Sequence, residues 1–170
     1  MRRMKKHPAN DKIRGLKEIV MIAGRARAQG KKIVTTNGCF DILHVGHMSY
    51  LKFARSLGDI LIVGVNSDNS VKRNKGPLRP IVPERERAEM LASLGAVDHV
   101  FIFGDQTPDK WLMKIRPHIH VKGSDWTLKT MPERETVEKI GGKIVLAPLV
   151  KGKSTTNTIN KVLRGGSQQK

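Results

Sequence analysis

The stretch Asp59-Ile60-Leu61-Ile62-Val63-Gly64-Val65 constrains the fold more than any other. It is almost continuously apolar and is followed by the polar Asn66-Ser67-Asp68. A strand with one wet face alternates apolar and polar residues. One without that alternation is covered on both faces, as in a parallel sheet. Runs of similar character predict further strands at 32–36, 97–103, 119–122 and 143–147. Between them the apolar residues recur at helical spacing. Ile13, Leu16, Ile19, Val20 and Ala23 mark a helix over 13–28, with Gly30 as its stop, and Met48, Leu51, Ala54 and Leu57 mark one over 45–57. Proline-led segments predict helices at 83–94, 108–115 and 132–140, and a Thr-led segment predicts one at 155–163. Residues 66–83 read as a polar loop with one helical turn around Ser70-Val71. Alternating strands and helices imply an α/β fold, a five-stranded parallel sheet with helices on both faces.

The chain has 170 residues, enough for one domain with a core. Residues 33–163 are expected to form it, preceded by a basic tail and helix over 1–32 and followed by a tail over 164–170. The first ten residues are expected to be disordered. Cys39 is the single cysteine, so no intrachain disulfide and no cysteine-based zinc site is available. No apolar run reaches membrane-span length, and no apolar signal core follows Met1-Arg2-Arg3-Met4-Lys5-Lys6. These features together imply a cytoplasmic protein. The formal net charge is +17, and residues 1–32 hold eleven Lys or Arg against Asp11 and Glu18. Such a balance attracts polyanions. Seven aromatic residues with no basic–aromatic alternation give little for stacking bases, so a solvated basic face ranks above nucleic-acid binding.

In open parallel sheets, ligands bind beyond the carboxyl ends of the strands. Three polar clusters fall there. The first runs Thr36-Asn37-Gly38-Cys39-Phe40-Asp41-Ile42-Leu43-His44-Val45-Gly46-His47. It puts two histidines three apart at a helix start, where free N–H groups favour an anion. Gly46 between them allows close approach to the backbone. The second cluster is Lys122-Gly123-Ser124-Asp125-Trp126, and the third is Gly152-Lys153-Ser154-Thr155-Thr156. A loop, Lys75-Gly76-Pro77-Leu78-Arg79-Pro80, offers two cations that could close over a polyphosphate.

Each cluster has a plainer reading. The histidines could be satisfied within the core, and Ser-Thr-Thr could be only a helix cap. A zinc site on His44 and His47 lacks a third ligand, and Cys39 as a nucleophile lacks an orienting group. His118 and His120 alternate on a strand and read as a packed pair. The coincidence of three anion-friendly clusters at strand ends favours phosphate binding.

The first cluster resembles the T-x-G-x-F-D-x-x-H-x-G-H signature of the cytidylyltransferase-like nucleotidyltransferases, whose fold is Rossmann-like. Val65-Asn66-Ser67-Asp68, Lys75 to Ile81, Glu86 to Leu91, Ala96-Val97-Asp98, Lys122 to Asp125 and Ser154-Thr155-Thr156 are similar to the heptose 1-phosphate adenylyltransferases, which make ADP-activated heptose for lipopolysaccharide. The resemblance spans residues 33–163. It implies transfer of AMP from ATP to a sugar 1-phosphate with release of pyrophosphate, with Mg²⁺ bridging the phosphates. It implies that His44 and His47 meet the β- and γ-phosphates, that Lys75 reaches them from its loop and that Arg87 faces the site. By the same resemblance Ser154, Thr155 and Thr156 hold phosphate. Asn37, Gly38, Phe40 and Asp41 line the nucleotide cleft, joined by Thr36, Cys39 and Gly46, while Lys122, Gly123 and Asp125 line the nucleotide or sugar side. No direct protein metal ligand is assigned. The implied partners are a nucleoside triphosphate, a sugar or polyol phosphate and a separate upstream sugar kinase, with a homodimer allowed. Two departures stand out: Ser124 replaces the family's second Gly, and Trp126 replaces a Tyr-like residue. The rival functions are a cytidylyltransferase using CTP and glycerol 3-phosphate or another polyol phosphate, and a nucleic-acid-binding protein on an inactive scaffold.

Overall fold

The computed structural model describes residues 11–124, 126–127 and 129–166. Five strands form one parallel sheet: β1 (Ile33–Gly38), β2 (Ile60–Asn66), β3 (His99–Phe103), β4 (Ile119–Gly123) and β5 (Lys143–Ala147). Their order is β3-β2-β1-β4-β5. The chain therefore builds outward from β1 in one direction, then returns to add β4 on its other side. That reversal places the topological switch point between β1 and β4, where ligands bind in open α/β sheets.

The helices are α1 (Leu16–Ala28), α2 (Val45–Ser56), α3 (Asp68–Lys75), α4 (Glu84–Ala92), α5 (Asp109–Ile115), α6 (Arg134–Lys139) and α7 (Thr155–Gly166). Two apolar clusters cover the two faces of the sheet. On one, Leu51 and Ala54 of α2 and Ala88, Leu91 and Ala92 of α4 pack on Val34, Leu61, Val63, Val65 and Val121. On the other, Ile19, Ala23 and Ala26 of α1, Trp111, Leu112 and Ile115 of α5 and Val137 of α6 pack on Ile33, Ile62 and Phe101. The unbroken apolar pattern of β2 is thereby explained: Leu61, Val63 and Val65 serve one core and Ile62 the other. α1 is part of this architecture, since its apolar stripe closes the second core and Ile13 bridges Val100 ahead of it. No helix among the described residues is long and apolar enough to cross a membrane.

The segment 66–83 departs from expectation. It carries an eight-residue helix, α3, rather than a single turn. Ser67 caps it by accepting from Ser70 N at 3.3 Å, Asp68 lies in its first turn, and Lys72, Arg73 and Lys75 lie in its last. Those charges match the helix dipole. Only Ser70 and Val71 are buried, so no apolar period betrays the helix. Pro83 is also displaced by one position, standing at the cap of α4 and not in its first turn. The basic 1–10 segment and Asp125 lie outside the described residues.

Candidate active site

The loop from β1 into α2 forms the first wall of the cleft. His44 is extended (φ −144°, ψ 170°) and caps α2, while His47 sits in its first turn. Their rings stack with centroids 3.9 Å apart and planes tilted by 20°. His44 N donates to His47 Nδ1 at 3.4 Å, which leaves the His47 proton on Nε2. Phe40 backs His47 at 5.5 Å between centroids, and takes a left-handed φ of 47° to turn the chain out of the strand. Burial and the neighbouring Lys153 charge push His44 below its ordinary value. Burial and His44 push His47 down to about 4. Both rings are therefore neutral at pH 7, and each can give one N–H to an incoming anion.

The start of α7 meets this wall. Ser154 Oγ accepts from Asn157 N at 3.1 Å, the bond of an N-cap, and Thr155 Oγ1 donates to Ile42 O at 3.3 Å. The second bond ties α7 to the β1–α2 loop. A methyl group on Gly46 would stand 3.3 Å from Lys153 Cβ, so the two helix starts are in direct contact. Two helix N-termini, two imidazoles and an exposed ammonium thus surround one space. First-turn N–H groups have no intrahelical acceptor, which makes that space suited to a polyanion. Lys153 was not among the residues expected to bind, although it lies inside the third cluster. A lysine beside Gly-rich sequence gave no signal of its own.

Across the switch point, β4 ends in Lys122 and Gly123. Lys122 is only 7% exposed. Its Nζ lies 2.8 Å from Glu133 Oε1 and donates to Asn37 Oδ1 at 3.3 Å, bridging β4 to β1. The ring of Trp126 covers it, with its centroid 5.0 Å away. Neither Glu133 nor its contact was legible in advance, because the two residues are eleven positions apart with a turn between them.

Several residues expected to line the site are engaged within the fold. Thr36 is buried, and its hydroxyl meets Tyr50 OH at 2.5 Å; Tyr50 OH in turn donates to Val121 O at 2.8 Å. Asp41 is 1% exposed and accepts from Arg79 Nε at 2.6 Å, Ile81 N at 2.9 Å and Val82 N at 2.8 Å. Burial alone would raise its carboxyl, but these donors outweigh it and hold it below the usual range. Arg87 is fully buried and does not face the cleft as the resemblance implied. It donates to Val82 O at 2.8 Å, Cys39 O at 2.5 Å and Asp68 Oδ1 at 2.7 Å. These side chains brace the β1–α2 loop against the 79–82 segment. Lys75, by contrast, is exposed at the end of α3, beside Gly76 at φ 95°. Cys39 is half-buried; burial raises its thiol against the pull of Lys75, Arg87 and Arg79, so it stays protonated at neutral pH.

Known proteins share the sequence and the fold of this chain. Residues 35–159 match the cytidylyltransferase-like family model. The chain is 46% identical over 158 residues to the bifunctional protein HldE of Geobacter sulfurreducens, covering 93% of this chain and 32% of that protein. It is 50% identical over 137 residues to the bifunctional protein HldE of Syntrophotalea carbinolica, covering 81% of this chain and 28% of that one. The chain therefore spans about a third of the length of these relatives. Among solved structures, it is similar to the lipopolysaccharide core biosynthesis protein of Thermoplasma volcanium, with a TM-score of 0.59 and 32% identity over 73% of this chain and 100% of that one. Pantoate-beta-alanine ligase of Francisella tularensis shares the fold, with a TM-score of 0.57 at 20% identity over 89% of this chain and 78% of that one. The family match begins inside β1, before the histidine pair, and ends inside α7, past its Ser-Thr-Thr cap, so it takes in both walls of the cleft: the chain belongs to the cytidylyltransferase-like family.

Proposed function

We propose that this chain is a nucleotidyltransferase that moves AMP from ATP to a sugar 1-phosphate, with heptose 1-phosphate as the acceptor. Pyrophosphate leaves and an ADP-sugar for lipopolysaccharide-type glycan synthesis forms. The carrying observation is the stacked His44–His47 pair between the starts of α2 and α7. The heptose-type motifs at Lys75 to Ile81 and Lys122 to Ser124 support the acceptor, as does similarity to a lipopolysaccharide core biosynthesis protein.

In this reading an oxygen of the acceptor phosphate attacks the α-phosphorus, and the bond from that phosphorus to the bridging oxygen of pyrophosphate breaks. The attacking phosphate has a second pKa of about 6 and is largely dianionic at neutral pH, so no protein base is needed. The chain's task is to align two polyanions and to neutralise charge on the departing pyrophosphate. His44 and His47 give N–H groups to the β- and γ-phosphates, Lys153 and the α7 start add positive potential, and Lys75 reaches in from the end of α3. Asp41 and Arg87 act at one remove by holding the loop that presents Phe40 and His44. Asn37 and Gly38 border the nucleotide side. Among the described residues no three His, Cys, Asp or Glu side chains gather as a metal cage, and the Asp41 carboxylate is already committed. In this reading Mg²⁺ enters with the triphosphate as part of the substrate.

The test is pyrophosphate release with ATP or CTP, paired with heptose 1-phosphate or glycerol 3-phosphate. Turnover is expected with ATP and heptose 1-phosphate. Preference for CTP and glycerol 3-phosphate would replace this reading with a polyol phosphate cytidylyltransferase.

A further inference from the structure

Beneath the β4 side of the cleft lies a chain of buried polar groups that the phosphate wall does not use. Thr35 Oγ1 meets His120 Nδ1 at 2.9 Å. His120 Nε2 lies 3.5 Å from Glu133 Oε1, and Lys122 Nζ lies closer, at 2.8 Å. His120 is 0% exposed, Glu133 1% and Lys122 7%. Burial holds His120 in its neutral form, with Trp111 edge-on to its ring at 5.9 Å. Burial works against the Glu133 carboxylate too, but His120 and Lys122 hold it down at about 2. The cluster is therefore one negative charge and one positive charge, sealed together behind a neutral imidazole. Asp109, which accepts from Thr136, is the next charge outward.

A buried ion pair is a poor way to stabilise a fold. Desolvation consumes most of its attraction, and apolar side chains of equal size commonly do as well. The geometry suggests what this pair secures. β4 ends at the switch point, and Lys122 leaves it toward Asn37 at the end of β1. An ammonium has three N–H donors. Among the described residues Asn37 Oδ1 accepts one of them at 3.3 Å, Glu133 Oε1 stands 2.8 Å away as the counter-charge, and the Trp126 ring covers the group at 5.0 Å. An unrestrained lysine would swing its charge into water.

We propose that Glu133 is a positioning residue: it fixes the Lys122 ammonium at the mouth of the cleft, where the remaining N–H meets a phosphate oxygen of a bound substrate. The inference rests on the nucleotidyltransferase reading for the identity of that substrate. The phosphate belongs either to the triphosphate or to the sugar 1-phosphate, and the two are separated by experiment.

The experiment is a double-mutant cycle of Glu133→Gln and Lys122→Met, read as kcat and as KM for ATP and for heptose 1-phosphate. It is read in parallel as Kd for ATP and for heptose 1-phosphate in the absence of turnover. Each single variant is expected to lower kcat/KM or weaken one Kd by at least roughly 10-fold, as misplacing a positioned group does. Glu133→Gln should cost nothing further, within roughly 3-fold, once Lys122 is Met, because groups acting as one unit are non-additive. The substrate whose KM or Kd moves is the one Lys122 holds. Independent, multiplicative losses overturn the proposal, as does a Glu133→Gln variant that behaves as wild type. Should Glu133→Gln alone not fold, the Lys122→Met/Glu133→Leu double removes both charges together and is compared with Lys122→Met; equal function supports the proposal and a further loss overturns it. An inactive wild-type chain counts against the proposed function only, since the Kd cycle still decides the role of Glu133.

Discussion

Gly46→Ala separates what the helix needs from what the site needs. A methyl at this position would stand 2.9 Å from both Cε1 and Nδ1 of His44 and 3.3 Å from Lys153 Cβ. Comfortable contact starts near 3.5 Å, so the His44 ring must withdraw by about 0.6 Å or rotate. It is stacked on His47 at 3.9 Å, and it cannot move without opening the pair. The helix itself gains, since Ala exceeds Gly by up to ~1 kcal/mol in helix propensity. Part of that gain is offset by crowding against the ring. The expected result is a Tm within a few degrees of wild type, because ~1 kcal/mol corresponds to about 2–8 °C. Over the same change kcat/KM should fall by roughly 10²-fold, the scale of a 1 Å misplacement. Pyrophosphate release and a thermal melt measure the two quantities on one preparation. Activity near wild type would refute the idea that the His44–His47 stack carries the chemistry. A collapse in Tm would show instead that Gly46 serves the fold.

Three further perturbations address the supporting structure. His47 is held at about 4 against an ordinary 6.5, so the unfolded chain binds the extra proton first and stability falls as pH drops from 6.5 toward 4; a Tm series should show this loss in wild type and a smaller one in His47→Gln, and equal slopes would contradict it. Asp41→Asn keeps one oxygen for Ile81 N and Val82 N but removes the charge and sets an NH2 donor against Arg79 Nε; it should cost about 2–3 kcal/mol, seen as a lower denaturant midpoint at unchanged m-value. Arg87→Met leaves Asp68 and the carbonyl oxygens of Cys39 and Val82 without their buried donor; a loss of about 3–5 kcal/mol is expected, and stability near wild type would mean that water replaces the guanidinium.

The sheet was legible because its signal is local. An apolar run such as Ile60 to Val65 announces a strand wherever it sits, and Val45 to Ser56 carries its period within twelve residues. α3 was legible only as one turn around Ser70-Val71, for the converse reason: capping and charge placement hold the rest, and it buries little beyond those two residues. The candidate site divides along the same line. His44, His47 and Ser154 sit at helix starts, which are sequence-local, and the structure brings them to one space. Arg87 and Asp41 belong to the same motifs, yet their partners lie on segments up to 48 and 41 residues away, so their turn inward could not be read from spacing. A motif marks which residues cooperate; it does not say which of them faces the ligand. For a guanidinium the distinction follows from burial and partners together. Three of the five N–H groups of Arg87 bond at 2.5–2.8 Å to the segments that hold the histidine loop, and the side chain is fully buried, so no face of it is open to a ligand. Lys153 has the opposite character: it is exposed, adjacent to His44 and inconspicuous in sequence. The proposed phosphate wall would thus draw its charge from exposed side chains such as Lys153, and its rigidity from buried ones such as Asp41 and Arg87.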